Sequence, residues 1–215
     1  RPEAAAARVA AELAGGADEI ALFVDAASRS ERDPQDPRAR GAVGDSGASI
    51  ATRGDFDPVA AALDPKRHTL VVTTGPAPLP LAALAIASLR ARNAALDGLT
   101  IAADPLGAWA TSGTTPVSLA VAYADIAALA HWASKHGSAM RVAVASGAPY
   151  HDAGASVDQE LGLTLAAAVE YLRALVDHGV AAHDAAARIA FSFPVGTRMF
   201  LEAAKLRAAR LAWAQ

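Results

Sequence analysis

The chain has 215 residues, of which 19 are Lys or Arg, 22 are Asp or Glu and none is Cys. A hydrophobic content of 53% is enough for one domain of ordinary size with a substantial core. The lack of Cys excludes disulfides and Cys-ligated metals. The net charge of −3, without basic clusters between aromatic residues, argues against a nucleic-acid partner.

The sequence predicts no membrane-spanning segment. The longest weakly polar stretch, Pro76 to Leu89, contains several prolines and is too short, because a spanning helix needs about 20 apolar residues. We therefore expect no membrane partner and a cytoplasmic location. The chain starts at Arg1-Pro2-Glu3, with neither Met nor a signal segment, so we expect this start to lie inside a longer protein.

Short β-branched runs alternate with Ala- and Leu-rich stretches, a pattern typical of βα units around a parallel sheet. The runs are apolar throughout, so we expect both faces of each strand to be covered. The predicted strands are Ile20–Asp25, Thr69–Thr74, Leu99–Ala103, Arg141–Ala145 and Arg188–Phe193. The predicted helices are Ala4–Leu13, Leu79–Asn93, Val117–His136, Val157–His178 and Thr197–Ala214.

The helix ends carry recognisable signals. Thr114-Thr115-Pro116 is predicted to start the third helix, because a hydroxyl and a proline are common at that end. Gly179 is predicted to adopt the left-handed backbone conformation that often ends a helix, directly after the fourth helix. Two irregular segments, Ser28 to Asp57 and Ser146 to Ala155, follow strands and are predicted to lie on the ligand-binding face. Glycines 41, 44 and 47 of the first segment match no nucleotide-binding spacing.

Polar residues at the strand ends are the first candidates for chemistry. Two Asp residues and a His at one edge would suit a metal site or acid–base catalysis. The alternative is that they cap helices, which is the commoner role of Asp, Ser and Thr after a strand. The candidates are Asp25, Arg29, Thr73, Thr74, Asp104, Ser146, Tyr150, His151 and Asp152. The spacing of His131, His136, His178 and His183 favours surface or capping roles.

The last helix carries a longer motif. Phe191 to Ala214 contains F-x-E-x-A-K-x-R-A-x-R-x-x-W-A, which resembles a pattern of the adenosylcobalamin-dependent methylmalonyl-CoA mutases. Asp36 to Gly47 resembles the family's D-N-P-R-V-R-G-x-V-G-x-x-G loop, and Asp152 to Leu161 resembles its E-A-G-A-x-x-x-x-E-L run. The match continues from Thr164 to Arg173, so the resemblance covers roughly residues 20 to 215.

The resemblance implies a (β/α)8 barrel of the TIM type that encloses an acyl-CoA substrate. The five predicted strands correspond to the family's second to sixth, so residues 1–215 are expected to form about five βα units of this barrel, continued outside the chain at both ends. In the family, cobalamin sits on a separate domain marked by D-x-H-x-x-G, which the chain lacks. We expect adenosylcobalamin in the assembled mutase and no cofactor bound by this chain alone.

The family's substrate-contacting loop is altered. Catalytic members read S-G-Y-H-M-Q-E-A-G-A, where the Tyr and the His contact the substrate thioester. In an alignment without a gap, Ala148 and Pro149 occupy these two positions. A two-residue deletion would instead align Tyr150 and His151, which remain fallback catalytic candidates.

Other family positions are also replaced. The substrate-contacting Gln is Ala102, the Arg that pairs with the substrate carboxylate is Ser112, and the Asn of a G-M-N motif is Arg198. Neither Ala nor Ser reproduces these contacts. No catalytic residue is therefore expected at these positions. The resemblance implies that Asp104, Gly147 and Glu202 face substrate or cofactor.

These replacements resemble the small, non-catalytic subunit of the heterodimeric mutases, as does the turn Asp104 to Ala108. The predicted role is to support a large catalytic subunit that interconverts methylmalonyl-CoA and succinyl-CoA. One alternative is an active acyl-CoA mutase with altered acyl specificity that uses His151. Another is an unrelated barrel hydrolase or lyase that uses Asp25, Asp104 and His151.

Overall fold

The computed structural model describes residues 2–64 and 66–215. Within them, short strands alternate with helices, and every strand pairs in parallel, so the α/β class is confirmed. The strands are β1 Glu19–Phe23, β2 Thr69–Gly75, β3 Leu99–Ala103, β4 Ala143–Ser146 and β5 Ile189–Ser192. Each predicted strand overlaps one of these.

The strands lie side by side in chain order. Strands β1, β2 and β3 form one sheet, and β4 and β5 form another. A parallel bridge between Thr100 and Arg141 connects the two sheets. There the Ile101 N–H donates to the Arg141 carbonyl at 2.9 Å, and the Arg141 N–H donates to the Leu99 carbonyl at 3.1 Å. The carboxyl ends of all five strands therefore point toward the same edge.

Helices fill most of the connections. They are α1 Pro2–Ala14, α2 Ala26–Arg29, α3 Arg53–Ala62, α4 Leu79–Arg90, α5 Pro105–Ser112, α6 Leu119–Lys135, α7 Ala148–Asp152, α8 Val157–Asp177, α9 Ala182–Ala187 and α10 Met199–Trp213. The five predicted helices correspond to α1, α4, α6, α8 and α10. The predicted cap after α8 is confirmed, because Gly179 has a φ of 85°.

Some predictions at element ends were wrong. The segment after β1 was predicted to be irregular as far as Asp57, but it contains α2 and the start of α3, where Thr52 and Asp55 form a capping box. The turn at Asp104 is the first turn of α5, and α7 lies inside the second irregular segment. Helix α6 is capped by Ser118 and not by Thr114 or Thr115, because the Ser118 hydroxyl accepts the Val121 N–H. Short helices carry too few periodic positions to be recognised from sequence.

The expectation that both faces of each strand are covered is wrong for β1. Ile20 and Leu22 are buried on one face, whereas Ala21 and Phe23 are exposed on the other, and Phe23 is 61% exposed. Strand β2 alternates in the same way between buried and half-buried residues. Within the described residues, the helices next to β1 and β2 thus cover one face of these strands and leave the other partly open.

Candidate functional site

The candidate site lies at the carboxyl edge of the strands, where Asp25, Asp104 and Gly147 follow β1, β3 and β4. Parallel strands bring these ends together on one edge. The polar side chains at this edge fall into three separate clusters, which differ in how far they are already hydrogen-bonded within the chain.

The first group is Asp25, which is completely buried. One carboxylate oxygen accepts the Ser28 N–H at 2.9 Å and the other accepts the Gly44 N–H at 2.7 Å. Burial by itself would raise the pKa of Asp25, but the hydrogen bonds from Gly44 and Ser28 outweigh it and lower the pKa. Asp25 therefore caps α2 and anchors the long segment after β1, as the capping alternative predicts.

The other candidates near β1 and β2 do not join a common site. The Thr73 hydroxyl donates to the Leu22 carbonyl at 3.1 Å and accepts the Val24 N–H at 3.2 Å, so it bridges the two strands. Thr74 is completely buried, and its hydroxyl has no partner among the described residues. A Cβ added at Gly75 would lie 3.4 to 3.7 Å from the aliphatic carbons of Arg29.

The second group is built around Asp104 after β3. Its Oδ1 accepts the Gly107 N–H at 3.0 Å, which caps α5, and also accepts the Tyr171 hydroxyl. The Tyr171 hydroxyl in turn accepts the Leu106 N–H at 3.0 Å. Burial raises the pKa of Asp104 even though these hydrogen bonds oppose it. Asp104 thus ties the end of β3 to α8.

Tyr150 lies close to this second group. Burial raises the pKa of the Tyr150 hydroxyl, and the nearby Asp104 charge adds to the effect. A cavity of about 580 Å³ beside it is lined mainly by apolar side chains, including Leu106, Trp109 and Leu163. This cavity lies between α5, α7 and α8 and exposes few polar atoms, so it is not arranged for acid–base chemistry.

The third group is a buried ion cluster that joins α7, α8 and α10. Glu160 on α8 is completely buried; its Oε1 lies 2.9 Å from Lys205 Nζ and its Oε2 lies 3.0 Å from His151 Nδ1. Lys205 Nζ also lies 2.7 Å from Glu202 Oε2 and donates to the Pro194 carbonyl at 2.6 Å. Lys205 and Glu202 are only 2% and 6% exposed.

The pKa values in this cluster follow from its contacts. Burial alone would lower the pKa of Lys205, but hydrogen bonds and charges from Glu202 and Glu160 raise it. The hydrogen bond from Lys205 lowers the pKa of Glu202, and the Gly196 N–H adds to this. Both groups therefore stay charged around neutral pH.

Gly147 is packed into the same region. A Cβ at this position would lie 3.0 Å from Glu160 Oε1 and 3.1 Å from the Thr164 hydroxyl. The close approach explains why a residue without a side chain stands here. The structure thus brings Gly147, His151 and Glu202 to one cluster, whereas Asp104 belongs to another.

Four of the five positions at which the sequence departs from the family pattern carry no free polar group suited to a thioester or carboxylate. Ala102 lies in β3, and Ala148 and Pro149 form the first turn of α7. The Ser112 hydroxyl donates to the Ala108 carbonyl at 2.7 Å and contacts the Thr114 carbonyl at 2.5 Å. The exposed Arg198 precedes α10 without capping it.

The remaining candidates after β4 are structural or exposed. The Ser146 hydroxyl accepts the Ala148 N–H at 3.2 Å, and Asp152 is exposed at the end of α7. Among the described residues, no three acidic, His or Cys side chains are grouped to hold a metal ion. No described helix is long and apolar enough to cross a membrane.

Sequence reasoning missed Glu160, Lys205 and Tyr171 as site residues. Glu202 and Lys205 are three residues apart on α10, which indicates a pair on one helix face. The partners of this pair cannot be found in the same way, because Glu160 lies 45 residues before Lys205, and Tyr171 lies 67 residues after Asp104.

The chain matches the family model described as methylmalonyl-CoA mutase over residues 1–215. It is 44% identical to the methylmalonyl-CoA mutase small subunit of Streptomyces virginiae over 116 residues, which are 54% of this chain and 18% of that protein. It is 31% identical to the methylmalonyl-CoA mutase of Rhizobium meliloti over 94% of this chain and 28% of that protein. It is 29% identical to the methylmalonyl-CoA mutase large subunit of Porphyromonas gingivalis, over 94% of this chain and 29% of that protein. The chain therefore spans less than a third of the length of these relatives.

Proposed function

The chain belongs to the methylmalonyl-CoA mutase family, and from this we propose that it is a small-subunit component that supports a catalytic large subunit without rearranging substrate itself. The large subunit would interconvert methylmalonyl-CoA and succinyl-CoA in the cytoplasm. In this proposal residues 1–215 form part of the substrate-binding barrel. The order of the parallel strands along the sheet, the same as their order in the chain, supports that placement.

One observation carries the non-catalytic part of the proposal. The family positions for substrate contact hold Ala102, Ser112, Ala148 and Pro149, and the Ser112 hydroxyl is bonded to backbone carbonyls of its own segment. None of these side chains can form the bidentate hydrogen bonds that an Arg gives a carboxylate. The similarity to a small subunit over half of the chain agrees with this interpretation.

The sequence does not provide the ligand motif for adenosylcobalamin, the cofactor of this family. The D-x-H-x-x-G motif is absent from the sequence. We therefore propose that the cofactor of an assembled mutase is held by other residues, and no catalytic step of this chain is assigned to it.

The test is reconstitution with a large mutase subunit that lacks its natural small subunit. The isolated chain is expected to give no succinyl-CoA from methylmalonyl-CoA plus adenosylcobalamin. It is expected to co-purify with the large subunit and to increase that subunit's thermal stability. Turnover by the isolated chain, or failure to associate, would contradict the proposal.

An active mutase that uses His151 is the second candidate, and the position of Tyr150 and His151 directly after β4 favours it. If the isolated chain turns over substrate, His151→Ala should abolish that activity, whereas His136→Ala, at the other end of the sheet, should not. The hydrolase or lyase interpretation is set aside because the family match covers the whole chain. Asp25, Asp104 and His151 also bond to three different sets of partners.

A further inference from the structure

Arg29 is a charged side chain whose hydrogen-bonding groups find no acceptor among the described residues. Its Nε is shielded from solvent and donates to none of them. It also forms no ion pair within the described part of the chain, whereas Arg38 of the same segment lies 2.6 Å from Asp36. A guanidinium is always charged, and a shielded N–H without an acceptor costs stability. Arg29 therefore lacks the acceptor that a partly desolvated charge normally has.

The backbone that carries Arg29 is anchored. Arg29 is the last residue of α2, and its N–H donates to the Asp25 carbonyl at 3.0 Å. The Asp25 carboxylate caps the same helix through the Ser28 N–H. The guanidinium is thus presented from a fixed position directly after β1.

The aliphatic stem of Arg29 lies across the end of β2. A Cβ added at Gly75 would lie 3.4, 3.6 and 3.7 Å from Cβ, Cγ and Cδ of Arg29, and Gly75 has a φ of 67°. Burial alternates along β2, so Gly75 belongs with Val71 and Thr73 to the half-buried face and not to the buried face. Arg29 therefore extends over the partly open face of the sheet at its carboxyl edge.

The surroundings of Arg29 indicate which ligand would suit it. The row of residues next to Gly75 on this face consists of Phe23, Thr73 and Ala102, which pair in register across β1, β2 and β3. Phe23 is largely exposed, and the Thr73 hydroxyl is already bonded to the backbone of β1. These residues offer apolar surface beside one positive charge. A single carboxylate on a short apolar chain matches that combination, whereas one guanidinium does not balance the charge of a phosphate dianion.

We propose that Arg29 anchors a binding site for the carboxylate of a small apolar acid at the carboxyl end of β2. The two Nη atoms, which unlike Nε are not shielded, donate to the two carboxylate oxygens. The apolar chain of the acid lies against Phe23 and Ala102. The carboxyl edge of parallel strands is where open α/β sheets bind ligands. The inference goes beyond the proposed function, because this binding needs neither turnover nor a large subunit.

The test is titration of the unaltered chain with butyrate at constant ionic strength, followed by NMR of the Arg29 Nε–H and Gly75 N–H groups. Both signals should shift and saturate, with a dissociation constant on the order of millimolar for so small a probe. Butyramide has the same size without the charge, and it should bind about tenfold more weakly because the charge-assisted hydrogen bonds are lost. Inorganic phosphate should also bind more weakly than butyrate.

Two substitutions separate the charge of Arg29 from its shape. Arg29→Gln keeps a similar stem without the charge and should bind butyrate about tenfold more weakly. Arg29→Lys keeps the charge without the planar fork, so its affinity should lie between those of Arg29→Gln and the unaltered chain. Arg38→Gln is the matched control, because Arg38 is already paired with Asp36, and it should bind butyrate like the unaltered chain.

The proposal is overturned if the two signals do not saturate with butyrate, or if Arg29→Gln binds butyrate as tightly as the unaltered chain. Equal affinity for butyramide, or tighter binding of phosphate than of butyrate, overturns the assignment of the ligand as a carboxylate. None of these measurements uses a large mutase subunit, so their outcome is separate from that of the reconstitution experiment.

Discussion

At the residue scale, two carboxylates with similar positions, the buried Asp25 and the half-buried Asp104, behave in opposite ways. Asp25 and Asp104 each follow a strand and cap a helix. Backbone N–H groups reach both oxygens of Asp25, and its pKa is lowered. Burial dominates at Asp104, and its pKa is raised. The balance between desolvation and hydrogen bonds decides the direction of the pKa shift, although both residues are Asp and both follow a strand.

The lowered pKa of Asp25 predicts part of the acid sensitivity of the fold. A carboxylate whose folded pKa lies below the ordinary value of about 3.9 stabilises the fold above that pH, and the contribution is lost as pH falls further. In Asp25→Asn the free energy of unfolding should therefore fall less steeply below about pH 4 than in the unaltered chain, as measured by urea unfolding at several pH values. At neutral pH it should cost about 1–3 kcal/mol, because an amide group then faces a backbone N–H.

The control for this experiment is Asp177→Asn at the exposed end of α8. It should change the free energy of unfolding by less than about 0.5 kcal/mol. If the free energy of unfolding of Asp25→Asn falls as steeply at acidic pH as that of the unaltered chain, Asp25 does not contribute to acid unfolding.

At the element scale, the segment after β1 is held by backbone contacts at its return to the sheet. The Ala48 N–H donates to the Phe23 carbonyl at 2.8 Å, and the Asp25 N–H donates to the Ala48 carbonyl at 2.9 Å. Gly47 crosses the end of β1 so closely that a Cβ would lie 2.5 Å from the Val24 carbonyl carbon. The segment is thus an extension of the sheet edge beyond the end of β1.

Gly47→Ala should push this segment away from β1. Because the added Cβ meets backbone and not a flexible side chain, we expect a destabilisation of about 1–3 kcal/mol in denaturant unfolding. Gly162→Ala is the matched control, since nothing lies within 4 Å of a Cβ there and the position is inside α8. It should stabilise the chain by about 0.5–1 kcal/mol. Equal effects of the two substitutions would contradict the predicted clash at Gly47.

At the scale of the whole molecule, the junction between the two sheets depends on more than the bridge from Thr100 to Arg141. Arg188, just before β5, is buried and reaches the segment that leads into β4. Its Nη1 donates to the carbonyls of Ser138 and Met140 at 2.5 and 2.8 Å, and its Nη2 donates to the Ser134 hydroxyl at 3.2 Å. This side chain therefore connects α6 to the amino-terminal ends of β4 and β5.

Arg188→Met keeps much of the apolar volume and removes these donors. The carbonyls are then left buried without their partner, which should cost about 1–3 kcal/mol in the free energy of unfolding. Arg141→Met is the control, because the Arg141 side chain is exposed and its bridge uses backbone atoms only. A loss of stability in Arg141→Met as large as in Arg188→Met would argue against a specific role of the Arg188 donors.

The sequence by itself determined the regular elements and the family. The five strands and the five long helices follow from apolar runs and 3.6-residue periodicity, and the motif on α10 together with the loop motifs identified the family. Short elements such as α7 and α9 escaped because one or two turns contain too few positions to show a period. The strand-end Asp residues were correctly identified as possible helix caps.

Only the tertiary structure decided which polar groups are available for chemistry. The spacing of residues in a sequence predicts contacts only between side chains three or four residues apart on one helix. Glu160 and Lys205, by contrast, meet across 45 residues, and Asp104 and Tyr171 across 67. These long-range contacts bury charge inside the chain at the edge where a site would lie. The free energy of a buried charge depends on its partners in space, so the roles of Asp25, Asp104 and His151 could be assigned only when those partners were known.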